Sequence, residues 1–367
     1  MRPVRVLIVD DSRVIRRLVA DVLSTEQDIA VVGMADSAAA ALSQIEALQP
    51  DLVTLDVEMP DRSGLDALVD IRARAPRLPV IMFSSLTQRA AATTLDALAR
   101  GATDYVTKPA NTGDRAASIA LVRAQLVPKI RALAGPTVRA RATAPAPSLS
   151  AGGTSPQRVE VVVVGCSTGG PNALSEVFRN LPRKLDVPVL VVQHMPPLFT
   201  QLLAERLGKT CPLRVCEASD GQRVEAGQVY VAPGNHHLEL ERDPAGVVVR
   251  THQGPHENSC RPAVDVLFRS AAAVHGGHVL AVVLTGMGQD GLRGCERLRA
   301  AGAQVLVQDE ATSVVWGMPG FVAQAGLADD VLPLGDLAAA ITRRVRGGER
   351  ATPSFPADAC PEVRHVG

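Results

Sequence analysis

The stretch Val159-Glu160-Val161-Val162-Val163-Val164-Gly165-Cys166-Ser167-Thr168-Gly169-Gly170-Pro171 decides how the chain is read. Its first six residues include one polar side chain, Glu160, and otherwise only valine, which suits a buried strand. Pro171 stands where a helix begins, and Asn172 to Arg179 carries a helical pattern. Ser167 is therefore expected on a sharp strand-to-helix turn, with free N–H groups aimed at whatever approaches it. The flanking glycines permit the tight geometry and leave room for a substrate. This is the setting of a nucleophilic serine.

The chain around this turn has 367 residues, enough for two domains. It is 46% hydrophobic but only 2% aromatic, so Val, Leu, Ala and Ile must fill its cores. Lys and Arg (38) balance Asp and Glu (38), which argues against a general nucleic-acid binder. No run of about 18 apolar residues predicts a membrane span. Met1 to Asp11 lacks a signal-peptide layout, so a cytoplasmic protein with no direct membrane insertion is expected. The six cysteines, Cys166, Cys211, Cys216, Cys260, Cys295 and Cys360, form no Cys-x-x-Cys pair. Reduced thiols, mostly serving as small buried hydrophobes, are the expectation.

Upstream, five apolar runs alternate with helical patterns: Val4–Val9, Ile29–Ala35, Leu52–Asp56, Val80–Ser84 and Asp104–Thr107. Alternation of this kind predicts an α/β domain with a parallel sheet, whose sites gather at the carboxyl ends of the strands. Asp10 and Asp11 follow the first strand, Asp56 ends the third, Ser84 ends the fourth and Lys108 follows the fifth. Converging carboxylates repel unless a hard cation lies among them, and oxygen ligands suit Mg²⁺. Lys108 and the Ser84 hydroxyl would complete a pocket for a phosphoryl group on Asp56.

With Met59-Pro60, Gly64, Ser84-Ser85 and Gly101-Ala102 through Lys108-Pro109, this part resembles the receiver domains of two-component response regulators. The resemblance implies a flavodoxin-like fold of five parallel strands over residues 1–125. It implies that a histidine kinase phosphorylates Asp56, with Mg²⁺ at Asp10, Asp11 and Asp56, and that Ser84 and Tyr105 form a switch pair. Helix caps in a plain flavodoxin-like domain are the bland alternative for these acids.

Residues 126–157 are expected to be a linker. Gly135 to Gln157 is rich in Ala, Pro, Ser, Gly and Thr. Lys129, Arg131, Arg139 and Arg141, with no acid among them, read as a solvated tether rather than a docking strip. Arg115 to Ala134 looks helical, with a kink expected at Pro128. The tail, residues 347–367, is Pro-rich and expected to be disordered.

Between them, residues 158–346 read as a larger, mostly parallel, doubly wound α/β domain. Its clearest strands are Val159–Val164, Val187–Gln193, Leu213–Cys216, Val279–Thr285 and Gln304–Gln308, and Leu238–Arg242 with Gly246–Thr251 form an antiparallel hairpin. Ser167 needs a base, and the base needs an acid to orient it and stabilise the imidazolium. His194 and either Asp290 or Asp309 offer these from strand ends, and spacing alone does not choose between the aspartates. The order Ser, His, Asp departs from that of α/β-hydrolases, although Gly165-x-Ser167-x-Gly169 matches their elbow.

Gly286-x-Gly288-x-x-Gly291 also matches a dinucleotide fingerprint, with Asp309 where a ribose-binding acid would stand. Asp290 inside that loop would face the pyrophosphate, which counts against it. The histidines at 236, 237, 252, 256, 275 and 278 have spacings too irregular for a zinc site, and surface, turn or cleft positions are expected for them. Cys166 could compete as nucleophile, but adjacent residues on a turn point apart.

Both halves together resemble the CheB-type chemotaxis protein-glutamate methylesterases. Beyond the serine turn, the residues that carry the likeness are Gln193-His194-Met195-Pro196, Ala232 to His237, Arg261 to Phe268, Leu284 to Gly291 and Gly317-Met318-Pro319. The resemblance implies a triad of Ser167, His194 and Asp290, with Thr168 and Met287 near substrate and oxyanion. It implies phosphorylation-activated hydrolysis of glutamate methyl esters on methylated chemoreceptors, releasing methanol, with deamidation of glutamines at the same site. A chemotaxis histidine kinase would be the phosphodonor. A monomer is expected, with Mg²⁺ for phosphorylation and no cofactor for ester hydrolysis. Pro255 to Cys260 matches none of these motifs. Rival readings are a phosphorylation-controlled binding module and a nucleotide-dependent oxidoreductase. A DNA-binding output is disfavoured by 18 basic and 19 acidic side chains over residues 158–346.

Overall fold

The molecule is represented by a computed structural model that describes residues 2–60, 62–109, 114–135 and 158–347. Its first unit alternates strands and helices: β1 (Val4–Val9), α1 (Arg13–Leu23), β2 (Ile29–Ala35), α2 (Ala38–Leu48), β3 (Leu52–Asp56), α3 (Gly64–Arg74), β4 (Val80–Ser84), α4 (Gln88–Ala99), β5 (Asp104–Thr107) and α5 (Arg115–Ala134). All five strands have the limits expected from the sequence. They pair in parallel in the order β2-β1-β3-β4-β5. The helices start where a short polar side chain can accept an orphan backbone N–H, at Ser12, Ser37, Ser63, Thr87 and Asp114. Period-two alternation splits the sheet's side chains. Leu7, Val9, Val53 and Leu55 face α2 to α4, while Val6, Ile8, Ile81 and Phe83 face α1 and α5.

The second unit comprises β6 (Val161–Cys166), α6 (Gly170–Arg179), β7 (Val189–Gln193), α7 (Phe199–Thr210), β8 (Arg214–Glu217), β9 (Gln228–Val231), β10 (His237–Asp243), β11 (Gly246–His252), α8 (Val264–His275), β12 (Val279–Val283), α9 (Leu292–Ala300), β13 (Gln304–Gln308), α10 (Met318–Gln324), β14 (Asp330–Leu332) and α11 (Leu334–Val345). Seven strands form a wholly parallel sheet in the order β14-β13-β12-β6-β7-β9-β8. β10 and β11 stand apart as the antiparallel hairpin. The sequence reading missed β9 and β14, which at four and three residues are too short to show a period. β6 begins two residues later than expected and ends at Cys166. β12 stops at Val283; two residues on, the Thr285 N–H is taken by the Gln308 side chain rather than by a strand.

The two units share an apolar core. One cluster of buried side chains runs from Leu95 and Leu98 of α4 and Tyr105 of β5 into Phe199 and Leu203 of α7 and Leu174 of α6. The Tyr105 and Phe199 rings stack at 4.7 Å and 7°. Around them, Asn172 Nδ2 donates to Leu98 O (2.7 Å), Arg206 pairs with Asp96 (2.6 Å), and Thr168 Oγ1 donates to Asp104 Oδ2 (2.7 Å).

α5 continues unbroken through Pro128. Lys129 and Arg131, read in sequence as part of a tether, belong to its last turns. Lys129 bonds Asp104 and the Tyr105 carbonyl, and Arg131 bonds Glu26 and Asp28. The expected connector after Gly135 and the expected disordered tail after Gly347 lie outside the described residues.

β6 lies at the centre of its sheet, and α8 crosses it closely. A Cβ at Gly165 would stand 2.4 Å from Val264 Cγ1. Gly165→Ala should therefore destabilise the protein by about 1–3 kcal/mol, as overpacked cores do. Urea unfolding checks this, and an unchanged midpoint would refute the close crossing.

Candidate active site and phosphoacceptor pocket

The order of the large sheet brings three strand ends side by side. Ser167 follows β6, His194 follows β7 on one flank, and Asp290 lies in the loop after β12 on the other. This is the crevice where ligands bind in open parallel sheets. The serine turn is locked by its backbone. Ser167 N donates to Thr285 O (3.1 Å), while Ser167 O accepts from Gly170 N (2.8 Å) and Gln193 Nε2 (2.9 Å). Gly169 has φ +79°, a conformation that would strain any other residue. The Ser167 side chain is half-buried.

His194 Nε2 lies 2.8 Å from Asp290 Oδ2. Asp290 is 3% exposed and accepts from five groups. Besides His194, they are Val264 N (2.6 Å), Asp265 N (3.0 Å), Asn258 Nδ2 (2.8 Å) and Gly291 N (3.0 Å). Two of these are the first N–H groups of α8, whose N-cap Ala263 has no side chain able to cap them. Asp290 thus caps the helix from outside, where the helix dipole favours an anion. Burial works against its charge, but His194 and these N–H donors hold the carboxyl below its ordinary range. Burial likewise opposes charge on His194, yet the Cys260 sulfur and Asp290 raise it to about 10. Cys260 Sγ is 3.5 Å from His194 Nδ1, on the ring edge that Asp290 leaves free.

The other expected residues fall as follows. Asp309 turns onto Thr312 (Oδ1 to Thr312 N, 3.0 Å), away from His194. The glycine-rich loop Gly286 to Gly291, a possible nucleotide fingerprint in sequence, is spent on carrying Asp290; Gly288 and Gly291 take φ +86° and +96°. Met287 is half-buried on that loop, and its N–H has no partner among the described residues. Thr168 is buried, with its hydroxyl given to Asp104 of the first unit. Cys166 is fully buried against Gln193 Oε1 (3.0 Å), and burial pushes its thiol far up. Cys211 and Cys295 are buried as expected, whereas Cys216 and Cys260 are only partly so. His237, for which a surface, turn or cleft position is expected, is 1% exposed between Pro255 O (2.9 Å) and Ala263 N (3.2 Å), and burial lowers its proton affinity.

Sequence reasoning missed Asn258, Cys260 and the second buried carboxylate, Asp265. They meet His194 and Asp290 through the crossing of α8 over β6. The local signals were faint: a cysteine in a polar loop, and an Asp at the start of an amphipathic helix.

In the first unit, the strand ends converge on Asp10 and Asp56. Lys108 Nζ lies 2.9 Å from Asp10 Oδ2 and 2.8 Å from Asp56 Oδ1. Carboxylate oxygens of Asp10, Asp11 and Asp56 all fall within 4.8 Å of one another. Burial pushes Asp56 up to about 6, with Asp10 adding to the rise against Lys108, and burial also raises Asp10. Asp10 Oδ2, though in ion-pair range of Lys108, accepts no hydrogen bond of regular geometry. An under-satisfied, mutually repelling all-oxygen set of this kind fits a hard divalent cation. Ser84 is fully buried, but its hydroxyl bonds Thr94 Oγ1 (2.7 Å) and Ser85 O (3.1 Å) rather than the acidic pocket. Tyr105 is buried against Phe199 of the second unit.

Two family patterns divide the chain: the response regulator receiver domain matches residues 6–120 and the CheB methylesterase matches residues 162–341. The fold and strand-end sites thus define a receiver joined to a hydrolase-type α/β domain. A protein-glutamate methylesterase/protein-glutamine glutaminase of Trichodesmium erythraeum is 52% identical over 347 residues, covering 93% of this chain and 99% of the relative. One of the same description from a Nocardioides species is 52% identical over 356 residues, covering 94% and 96%. The crystal structure of the Thermotoga maritima CheB methylesterase catalytic domain shares 42% identity and a TM-score of 0.50, covering 51% of this chain and 99% of that one. The chain belongs to the protein-glutamate methylesterase/protein-glutamine glutaminase family.

The contacts of His194 predict its titration. Because its charged form is favoured, the ring should stay protonated to higher pH than the ordinary 6.5 and lose its proton as pH rises toward 10. NMR titration of the ring checks this. Asp290→Asn and Cys260→Ala should each lower the midpoint, and a wild-type midpoint at or below about 6.5 would refute the assignment.

Proposed function

We propose that this protein hydrolyses the methyl esters of receptor glutamates, and deamidates receptor glutamines, through Ser167, His194 and Asp290, under the control of phosphorylation at Asp56. The observation that carries the reading is the His194–Asp290 pair at 2.8 Å on the strand end beside the Ser167 turn. It sits in a chain matching relatives with that activity in their name over 93% of its length.

The Ser167 Oγ attacks the ester carbonyl as its proton passes to the neutral fraction of His194, which grows as pH rises toward the ring's raised midpoint. Since Nε2 is committed to Asp290, Nδ1 is the nitrogen that takes the proton. Asp290 stabilises the imidazolium without being protonated itself. The unpartnered Met287 N–H is suited to hold the tetrahedral oxyanion. His194 then protonates departing methanol, and the resulting glutamyl-serine ester is cleaved by water with His194 as base. With a glutamine the leaving group is ammonia and the acyl intermediate is the same.

Control follows from the shared core. The Thr168 hydroxyl, one residue from the nucleophile, is held by Asp104, and Tyr105 beside it stacks on Phe199. These contacts support a resting state in which the receiver restrains the cleft. Asp56 takes the phosphoryl group from a chemotaxis histidine kinase, and Asp10, Asp11 and Asp56 would hold a Mg²⁺ ion there, with Lys108 beside them. Bound Mg²⁺ would offset the negative charge of the acids and the phosphoryl oxygens. Ser84, turning from Thr94 toward the phosphoryl oxygens, would open space for Tyr105 to leave Phe199. The substrates are methylated chemoreceptors, reached from the cytoplasm by a monomer; among the described residues no helix is long and apolar enough to cross a membrane.

Methanol release from methylated receptor tests the chemistry. Ser167→Ala should lower turnover by about 10⁴- to 10⁶-fold. Retention of most activity would remove Ser167 from the mechanism.

The same assay tests the restraint. Removing residues 1 to about 150 should raise basal turnover. Phe199→Leu, which deletes a stack worth about 0.5–1.5 kcal/mol, should raise it about two- to tenfold. Asp56→Asn should abolish stimulation by acetyl phosphate and Mg²⁺. Unchanged or lower basal rates in the first two variants would overturn the restraint.

A further inference from the structure

Behind the His194–Asp290 pair lies a second carboxylate. Asp265, on the first turn of α8, is 1% exposed, and Asp290 beside it is 3% exposed. The two cap each other's neighbouring helices. Asp290 accepts from Val264 N and Asp265 N at the start of α8, and Asp265 Oδ1 accepts from Gly291 N (3.0 Å) and Gly294 N (2.6 Å) at the start of α9. Helix starts favour anions, but two buried carboxylates side by side repel.

One side chain separates them. Asn258 Nδ2 donates to Asp290 Oδ1 (2.8 Å) and to Asp265 Oδ2 (2.9 Å). Among the described residues it is the only donor to Asp265 Oδ2. An amide can bridge two carboxylates without adding charge, which neither a carboxylate nor an ammonium could do. The backbone of Asn258 has φ +51°, where Asn is tolerated better than most residues.

We propose that Asn258 is a positioning residue for ester hydrolysis: its amide bridges Asp290 and Asp265 and aims Asp290 Oδ2 at His194. The proposal rests on the triad reading above. Without the bridge, Asp265 Oδ2 is a buried acceptor with no donor, and the carboxyl is driven to take up a proton. A protonated Asp265 would then donate to Asp290 Oδ1, drawing off the charge that orients and stabilises the His194 imidazolium. The charged and titratable groups packed around the pair are His194, Cys260, Glu257, Arg269, which also pairs with Glu257, and the buried Cys295 of α9.

Glycine accepts the left-handed backbone at position 258 without strain, so Asn258→Gly removes the amide and little else. In the full-length chain, methanol release from methylated receptor should show kcat reduced about tenfold or more, as when supporting hydrogen bonds to an active-site ligand are lost, with KM within about twofold of wild type. The NMR midpoint of His194 should fall. Asn258→Asp, nearly isosteric but lacking the bridging N–H groups, should show the same loss. Wild-type kcat and an unmoved His194 midpoint in both variants would overturn the proposal. So would failure of both to fold, because the amide would then hold the fold rather than aim the acid. Asp290→Asn separates the two readings: if it too is fully active, the triad itself fails, whereas a crippled Asp290→Asn beside active Asn258 variants sinks only the role of Asn258.

Discussion

A carboxylate removed from water must have its lone pairs met, and Asp290 meets this demand with five donors drawn from four segments of the chain. The start of α8 supplies two, the loop after β12 one, the Asn258 loop one and the end of β7 one. Satisfying this one group therefore fixes how α8 sits on the sheet, how the Gly286–Gly291 loop folds back and which edge of the His194 ring faces the cleft. Much of the site's geometry follows from it. The close pass of α8 over Gly165, where a methyl group would collide with Val264, is the packing counterpart of the same constraint.

The junction of the two units has a similar economy. Asp104 and Tyr105 are consecutive residues of β5, so their side chains point to opposite faces of the strand. Asp104 joins Lys129 of its own unit to Thr168 beside Ser167, and Tyr105 stacks on Phe199. A rearrangement at the start of β5 would act on both contacts at once. The energies involved are small, and a stack worth about 1 kcal/mol suits a switch better than a permanent weld.

Legibility in the sequence varied with the range of the interaction. The strands of the first unit were readable to the residue because apolar runs bounded by turn residues are local. The acidic pocket was readable because strand ends in a parallel sheet converge by rule, whatever the details of packing. Asp290 and Asp309 were equivalent in residue type and strand-end position, so spacing left the choice open and only the family likeness pointed to Asp290; in the structure the loop path separates them, one carboxylate entering the helix start of α8 and the other bending back onto Thr312. Asn258, Cys260 and Asp265 were illegible for a related reason. Their significance lies in contacts made across β6, and nothing within a few residues of them in the chain reports those contacts.

The sequence by itself therefore determined two α/β units, the serine turn, the strand-end acids and the family to which they point. Periodicity and turn chemistry act over neighbouring residues and survive without knowledge of the fold. Tertiary structure alone decided that the Ser167 turn is a shared feature of both units. Ser167 follows β6 between the strand ends that carry His194 and Asp290, while the next residue, Thr168, is held by the receiver. That arrangement depends on where α4 and β5 rest against α6 and α7. Such docking is set by shape and burial over surfaces distant in sequence, which no local pattern encodes.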